Sequence, residues 1–81
     1  MTLTQTTIAK SIDARGIACP GPLLNLIGAI RRGQVGDTFE VLSSDAGSKT
    51  DIPAWTAKAK HDLVEVIEEP GYARFIVRKT H

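Results

Sequence analysis

One cysteine occurs in the 81 residues, and it sits in the run Ala18-Cys19-Pro20-Gly21-Pro22. A single thiol closes no internal disulfide. With only two histidines, His61 and His81, and no CxxC or paired-His spacing, it is a poor nucleus for a metal site, and no metal or cofactor is expected. What remains is nucleophilic sulfur chemistry, which depends on the thiolate fraction. A free thiol with a pKa of about 8.5 is only a few per cent ionised at neutral pH. The sequence offers a means to raise that fraction. Pro20 and Pro22 are expected at the first and third positions of a helix, where a missing N–H costs nothing. A thiol just before them faces the positive end of the helix dipole, which favours the thiolate and the anionic terminal sulfur of a persulfide. Gly21, without a side chain, leaves the thiol sterically open. The plain alternative is a buried structural cysteine, because free Cys is among the most buried residue types. The Pro-Gly-Pro setting weighs against it. No histidine lies near Cys19 in the pattern, so a protease-like Cys–His pair is not indicated. A thiol whose catalytic groups come from a partner fits better.

Other charged residues have two readings each. Arg15 is close to the thiol in sequence and is a candidate for binding an anionic sulfur donor such as thiosulfate, or for a loop salt bridge. Arg31 and Arg32 are expected in the last turn of the helix, where cations suit the dipole, and are candidates for docking an acidic partner. Asp13 and Asp51 read as turn or cap residues rather than catalytic acids. The formal net charge is +1 and aromatics make up 5% of residues, which argues against direct nucleic-acid binding. The Thr-rich start lacks a signal-peptide stretch, and no segment has the length of a membrane span. A free thiol suits a reducing compartment, so the cytoplasm is the expected location.

The elements that must position Cys19 follow from the apolar periods. Residues 1–81 read as one domain, with residues 1–6 a frayed start. Ile8 to Ile12 reads as a short first strand. Leu23, Ile27 and Ile30 form the apolar stripe of a first helix, widened by Leu24 and Leu26, with Gly33 as its stop. Thr38 to Ser43 is a second strand with Phe39 and Val41 on one face. A second helix carries Ile52, Trp55 and Ala59. Pro53 fits its first turn, which favours Asp51 over Ser48 as the N-cap. Asp62 to Glu69 and Tyr72 to Lys79 form a hairpin about Pro70-Gly71, with Val64 and Val66 sharing one face of its first strand. The order β-α-β-α-β-β, with right-handed crossovers, predicts an α+β fold. It is a two-layer α/β sandwich, with a mixed four-stranded sheet and both helices on one face. The other sheet face should be polar, carrying Glu40, Glu65, Arg74 and Arg78. So small a core leaves little room for an enclosed cavity, so chemistry should sit at the surface.

The stretch Ile12-Asp13-Ala14-Arg15-Gly16-Ile17-Ala18-Cys19-Pro20-Gly21-Pro22 resembles the signature of the TusA-like (SirA-like) sulfur-carrier family, roughly Leu-Asp-x-x-Gly-x-x-Cys-Pro-x-Pro. Gly36-Asp37, Asp45, Asp51-Ile52-Pro53 with Trp55, His61-Asp62-Leu63 and Phe75-Ile76-Val77-Arg78-Lys79 are also similar to that family, so the likeness runs from about Ile12 to Lys79. Ile12 stands where the signature has Leu. The resemblance implies a sulfurtransferase-type carrier in which Cys19 accepts sulfane sulfur as a persulfide (or thiosulfonate) and passes it to partner proteins. Those partners would be of the rhodanese, DsrE or cysteine desulfurase types. The Cys-Pro-Gly-Pro-Leu form resembles members from sulfur-oxidising prokaryotes, while other members serve 2-thiouridine formation in tRNA. Two readings of other classes stand beside this one. One is a regulatory or RNA-binding module without thiol chemistry. The other is a thiol redox switch, which would need a partner because no resolving cysteine exists.

Overall fold

A computed structural model describes residues 8–18 and 20–81. The expected frayed start, 1–6, and Cys19 itself lie outside the described residues. The elements run β1 (Lys10–Asp13), α1 (Gly21–Arg32), β2 (Thr38–Ser43), α2 (Ser48–Lys58), β3 (Asp62–Glu69) and β4 (Tyr72–Arg78). The strand order is β1-β2-β4-β3, with β1 parallel to β2 and the other two pairs antiparallel. This is the expected β-α-β-α-β-β arrangement with a mixed sheet.

Alternation along β2 and β4 decides the layers. Phe39, Val41, Ala73, Phe75 and Val77 form one buried cluster with Leu26, Ala29 and Ile30 of α1 and Ile52 of α2, while Leu23 and Trp55 pack against it. Both helices therefore cover the same face. The stripe of α1 is centred differently from its expected position. Leu26 is fully buried and Leu24 is 59% exposed, so Leu24 does not widen the buried face.

The opposite face is polar, as expected, but it holds a buried charge. Glu40 accepts from Arg74 Nε at 2.7 Å and from Ser11 Oγ at 2.7 Å. One residue from each of β1, β2 and β4 is thereby tied across the open face. Among the described residues the four-residue β1 pairs only with β2, so this link helps to fix the strand that leads to the thiol.

Several boundaries differ from expectation for physical reasons. The first strand begins at Lys10 rather than Ile8. Asp51 is not the cap of α2. The helix starts at Ser48 with Gly47 at the N-cap position, and Pro53 lies inside it. Pro53 removes the N–H that would reach the Lys49 carbonyl, and Lys49 is exposed. Gly33 does end α1, but in extended backbone, not the left-handed form. A Cβ there would collide with the Phe39 ring. Lys79 Nζ completes that end by donating to the Ile30 and Gly33 carbonyls at 2.8 and 2.9 Å. In β3 the register slips between Leu63 and Glu65, so Val64 and Val66 do not share a simple alternation.

Candidate functional site

The C-terminal ends of β1 and β2 and the start of β4 lie together, because Asp13 pairs with Leu42 and Ser43 with Ala73. The loop that leaves β1 here leads to Cys19 and then into α1. Its first step extends the ladder, with Ala14 N–H donating to the Leu42 carbonyl at 2.9 Å. Ala14 is fully buried; beyond it, Arg15 to Ala18 and Pro20 are exposed. The loop turns tightly at Gly16, whose φ of +84° is a left-handed value that favours glycine.

Pro20 is the N-cap residue rather than the first helical one, so Gly21 and Pro22 take the first and second positions. The prolines stay harmless, since both remain among positions without an intrahelical N–H bond. Gly21 N–H donates to the Ala18 carbonyl at 2.9 Å and Leu24 N–H to the Pro20 carbonyl at 2.8 Å. Among the described residues no side chain caps this end, and no acidic residue occupies the first turn. The positive end of the dipole is thus not neutralised by a carboxylate of its own helix. Gly21 has a more specific duty than leaving space for the thiol. A Cβ there would collide with Ile17 Cγ2, so the glycine lets the Ile17 side chain lie against the helix start.

Arg15 forms a bidentate ion pair with Asp13, Nε to Oδ1 at 2.9 Å and Nη2 to Oδ2 at 2.8 Å. The guanidinium's hydrogen bonds hold the Asp13 carboxyl down at about 2, with the Arg15 backbone N–H adding to the effect. Arg15 thus forms the loop salt bridge that is one of its two readings. Arg31 and Arg32 are exposed in the last turn of α1. A helix of 12 residues separates them from the thiol end by about 18 Å. They are not part of one cluster with Arg15. Asp51 lies in the first turn of α2, and His61 lies at the far end of that helix, stacked on His81 with ring centroids 4.6 Å apart.

Ser44 and Tyr72, both outside the motif, reach the loop. Ser44 Oγ accepts from Gly16 N–H at 2.8 Å, and the Arg15 guanidinium lies over the Tyr72 ring, 5.0 Å from its centroid. Neither stands out in the sequence. The only hint is the polar Ser43-Ser44-Asp45 run closing the second strand. Beside the loop is a shallow depression of about 190 Å³ lined by Gly16, Ile17, Ala18, Ser44 and Asp45. Among the described residues no cluster of His, Cys, Asp and Glu is arranged to hold a metal ion. Also among them, no helix is long and apolar enough to cross a membrane.

The profile of the family described as "Sulfurtransferase TusA" matches residues 10–79. The chain is 52% identical over 68 residues to the "Putative sulfur carrier protein" of Archaeoglobus fulgidus, covering 84% of this chain and 93% of that one. It is 36% identical over 70 residues to YrkI of Bacillus subtilis, which bears the same description, covering 86% and 93%. In fold it is similar to the crystal structure of the SirA-like protein from Desulfitobacterium hafniense. There the TM-score is 0.77 at 20% identity, with 89% of this chain and 99% of that chain covered. The β1–α1 loop with its Cys-Pro-Gly-Pro motif, on a two-helix, four-stranded mixed sheet, thus belongs to a member of the TusA/SirA-like sulfur-carrier family.

Proposed function

We propose that Cys19 is the sulfur-bearing residue, charged as a persulfide and discharged to a partner protein. The observation that carries this reading is the Cys-Pro-Gly-Pro run at the start of a helix whose first turn has no acid, within a chain of the sulfur-carrier family. The loading step conserves electrons. The Cys19 thiolate attacks the sulfane sulfur of a donor R–S–SH, the Sγ–S bond forms, the donor S–S bond breaks, and RS⁻ leaves. The product, Cys19–S–SH, ionises more readily than the thiol it replaced. Transfer onward repeats the exchange, with the acceptor thiolate attacking the terminal sulfur and the Cys19 thiolate leaving. An exposed loop suits both steps, because two proteins must bring their sulfurs into contact.

The reading extends to the protein's setting. The donor and acceptor are proteins of the rhodanese, DsrE or cysteine desulfurase types, and the relay works in the reducing cytoplasm. The Cys-Pro-Gly-Pro-Leu form of the motif favours a relay in the oxidation of reduced sulfur compounds over 2-thiouridine synthesis. Arg31 and Arg32 supply exposed positive charge for an acidic docking surface, at the far end of the 12-residue α1, a helix about 18 Å long.

Intact-mass analysis tests the central step. After incubation with polysulfide, thiosulfate plus a rhodanese, or cysteine plus a desulfurase, the protein should gain one sulfur atom. Reductant should remove it, and Cys19→Ser should gain nothing. Failure with all three donors, or an equal gain in Cys19→Ser, refutes the reading.

A further inference from the structure

β1 is an edge of the sheet, and among the described residues no strand pairs with its outer side. Lys10 and Ile12 pair with Phe39 and Val41, so their side chains share the face that α1 covers. The helix does not close over them. A groove of about 250 Å³ runs between β1 and α1, with Ile12, Leu24 and Ala29 as its apolar walls and Lys10 and Arg32 on its rim. It continues past the two cations into a second hollow of about 200 Å³ that reaches Phe39. Arg32 is turned into this groove. A Cβ on Gly28 would stand 3.4 Å from Arg32 Nη1, so the guanidinium folds back one helical turn over a position with no side chain. Among the described residues neither Lys10 nor Arg32 forms an ion pair. Asp37, the acid at the far end, accepts the Gln34 N–H at 3.0 Å. The backbone of β1 is open as well. Ala9 N–H donates to the Thr38 carbonyl at 2.7 Å, so the alternation of a strand turns the N–H and C=O of Lys10 and Ile12 away from β2, toward the free edge.

We propose that this edge takes up an extended acidic segment of a partner protein. The segment adds to β1 as a further strand, seats an apolar side chain between Ile12 and Leu24, and meets Lys10 and Arg32 with its carboxylates. The inference deepens the docking role of the basic helix end, and it rests on the sulfur-carrier reading for the partner's being a sulfur donor or acceptor. The groove's size fits a side chain better than a small-molecule ligand, whose sites measure about 300–1,000 Å³. Charge selects among the possible occupants. Residues 1–7 contain no acid to match the two cations. A second copy has only Asp13 on its β1, and Arg15 already grips that carboxylate. An acidic segment from another protein meets both requirements of the site, a strand edge and two unpaired cations.

The probe is a capped, fluorescein-labelled peptide of alternating glutamate and leucine, titrated with the full chain at low salt. Its lysine–leucine counterpart is the control. The glutamate peptide should bind about tenfold tighter than the lysine peptide, and its binding should weaken as salt rises. Arg32→Glu should weaken it about fivefold or more, since one exposed attraction is lost and a repulsion of similar size replaces it. Lys58→Glu makes the same change in net charge at an exposed position in the last turn of α2, and should leave the affinity within about twofold. Lys10→Ala removes only the cation, whereas Lys10→Pro also removes the outward N–H at an edge position that tolerates proline. Lys10→Pro should bind about threefold weaker than Lys10→Ala, the scale of one hydrogen bond. In the unmodified chain the peptide should slow hydrogen exchange of the Lys10 and Ile12 amides, a readout that needs no variant to fold. Equal binding of the two peptides overturns the proposal, and Lys10 is then a charge that blunts the edge. Lys58→Glu as impaired as Arg32→Glu, or unslowed Lys10 and Ile12 amides, also overturns it. So does a wild-type dimer that Arg32→Glu dissolves, which would assign the edge to a second copy. The peptide carries no sulfur, so a chain that never accepts sulfur refutes the carrier reading while the peptide titration still decides the docking edge.

Discussion

The same substitution made two residues apart on α1 should have very unequal consequences. Leu26 is 0% exposed within the common core, and Leu24 is 59% exposed. Truncating Leu26 to Ala removes three carbon atoms from water-free surroundings, about 2.4 kcal/mol at 0.8 kcal/mol per methylene. The cavity left among Ala29, Phe39, Val41 and Ile52 adds roughly another 1 kcal/mol, for a total of about 3–4 kcal/mol. A chain of 81 residues has about 4–12 kcal/mol of stability in all. The melting temperature should then fall by at least about 12 °C, at roughly 4–8 °C per kcal/mol for a domain of this size. Leu24→Ala should cost about 0.5 kcal/mol or less, because most of that side chain already faces water. Urea and thermal unfolding followed by circular dichroism, with Trp55 fluorescence as a second probe, measure both. Equal losses in the two variants, or a Leu24→Ala loss above about 1 kcal/mol, would refute the assignment of the buried face of α1. Sulfur loading of Leu24→Ala from polysulfide should match wild type, since Leu24 faces away from the core that holds the helix.

The end of α2 and the two ends of the titration range give three further expectations. Lys60 closes α2 with a φ of 64°, and the bonds from Lys60 N–H to Ala57 and from His61 N–H to Thr56 mark a Schellman cap. Lys60→Gly should therefore raise stability by roughly 0.5–1 kcal/mol in urea unfolding, against the usual cost of a glycine. Asp13 is held down at about 2 against an ordinary 3.8, so its contribution to stability is complete above 3.8 and is lost as pH falls toward 2. In Asp13→Asn that part of the acid limb should disappear from the urea midpoint plotted against pH. His61 is pushed below its ordinary 6.5 by burial first, then by His81 and Lys79, with Asp62 opposing. Its neutral ring accepts the Thr80 N–H at 3.1 Å, so its contribution is complete above pH 6.5 and is lost as pH falls through the lowered pKa. Trp55, with its ring 5.8 Å from that of His61, should report the protonation as a fluorescence change with a midpoint below 6.5. A midpoint above 6.5 contradicts the sign.

The strands and the order of elements were legible because their signals are local and repeated. In β2 and β4 the alternation of Phe39, Val41, Ala73, Phe75 and Val77 marks the buried face by itself. α2 was read less well for an equally physical reason. Its residues, Ser48 to Lys58, are mostly small or polar, so the apolar stripe is faint, and Pro53 dominated the placement of its start. Proline is costly but not forbidden inside a helix when the carbonyl it orphans belongs to an exposed residue such as Lys49. In α1 the excess of leucine and isoleucine hid the true centre of the stripe. With Leu23, Leu24, Leu26, Ile27 and Ile30 all apolar, only packing against Phe39 and Val41 singles out Leu26 and leaves Leu24 in water.

The site divides along the same line. Cys19 and its two prolines are neighbours in the chain, so their chemistry can be argued from covalent geometry and the helix dipole alone. Ser44 lies 28 residues from Gly16 in sequence, and no period or motif ties them together. What brings them together is topology. Because β1 runs parallel to β2, both end at the same edge of the sheet, and because β4 runs antiparallel to β2, it begins there. A thiol loop leaving β1 must therefore pass over the residue that follows β2 and the residue that opens β4, whatever those residues are. The chain order β-α-β-α-β-β fixes the first of these two encounters. The second needs the further fact that β4, not β3, is the neighbour of β2. Ser44 was thus within reach of sequence reasoning once a parallel β1–β2 pair was expected, whereas Tyr72 was not. The Arg15–Tyr72 contact depends on a strand insertion that hairpin signals alone leave undecided, so the ring under Arg15 is the part of the site that only the folded chain reveals.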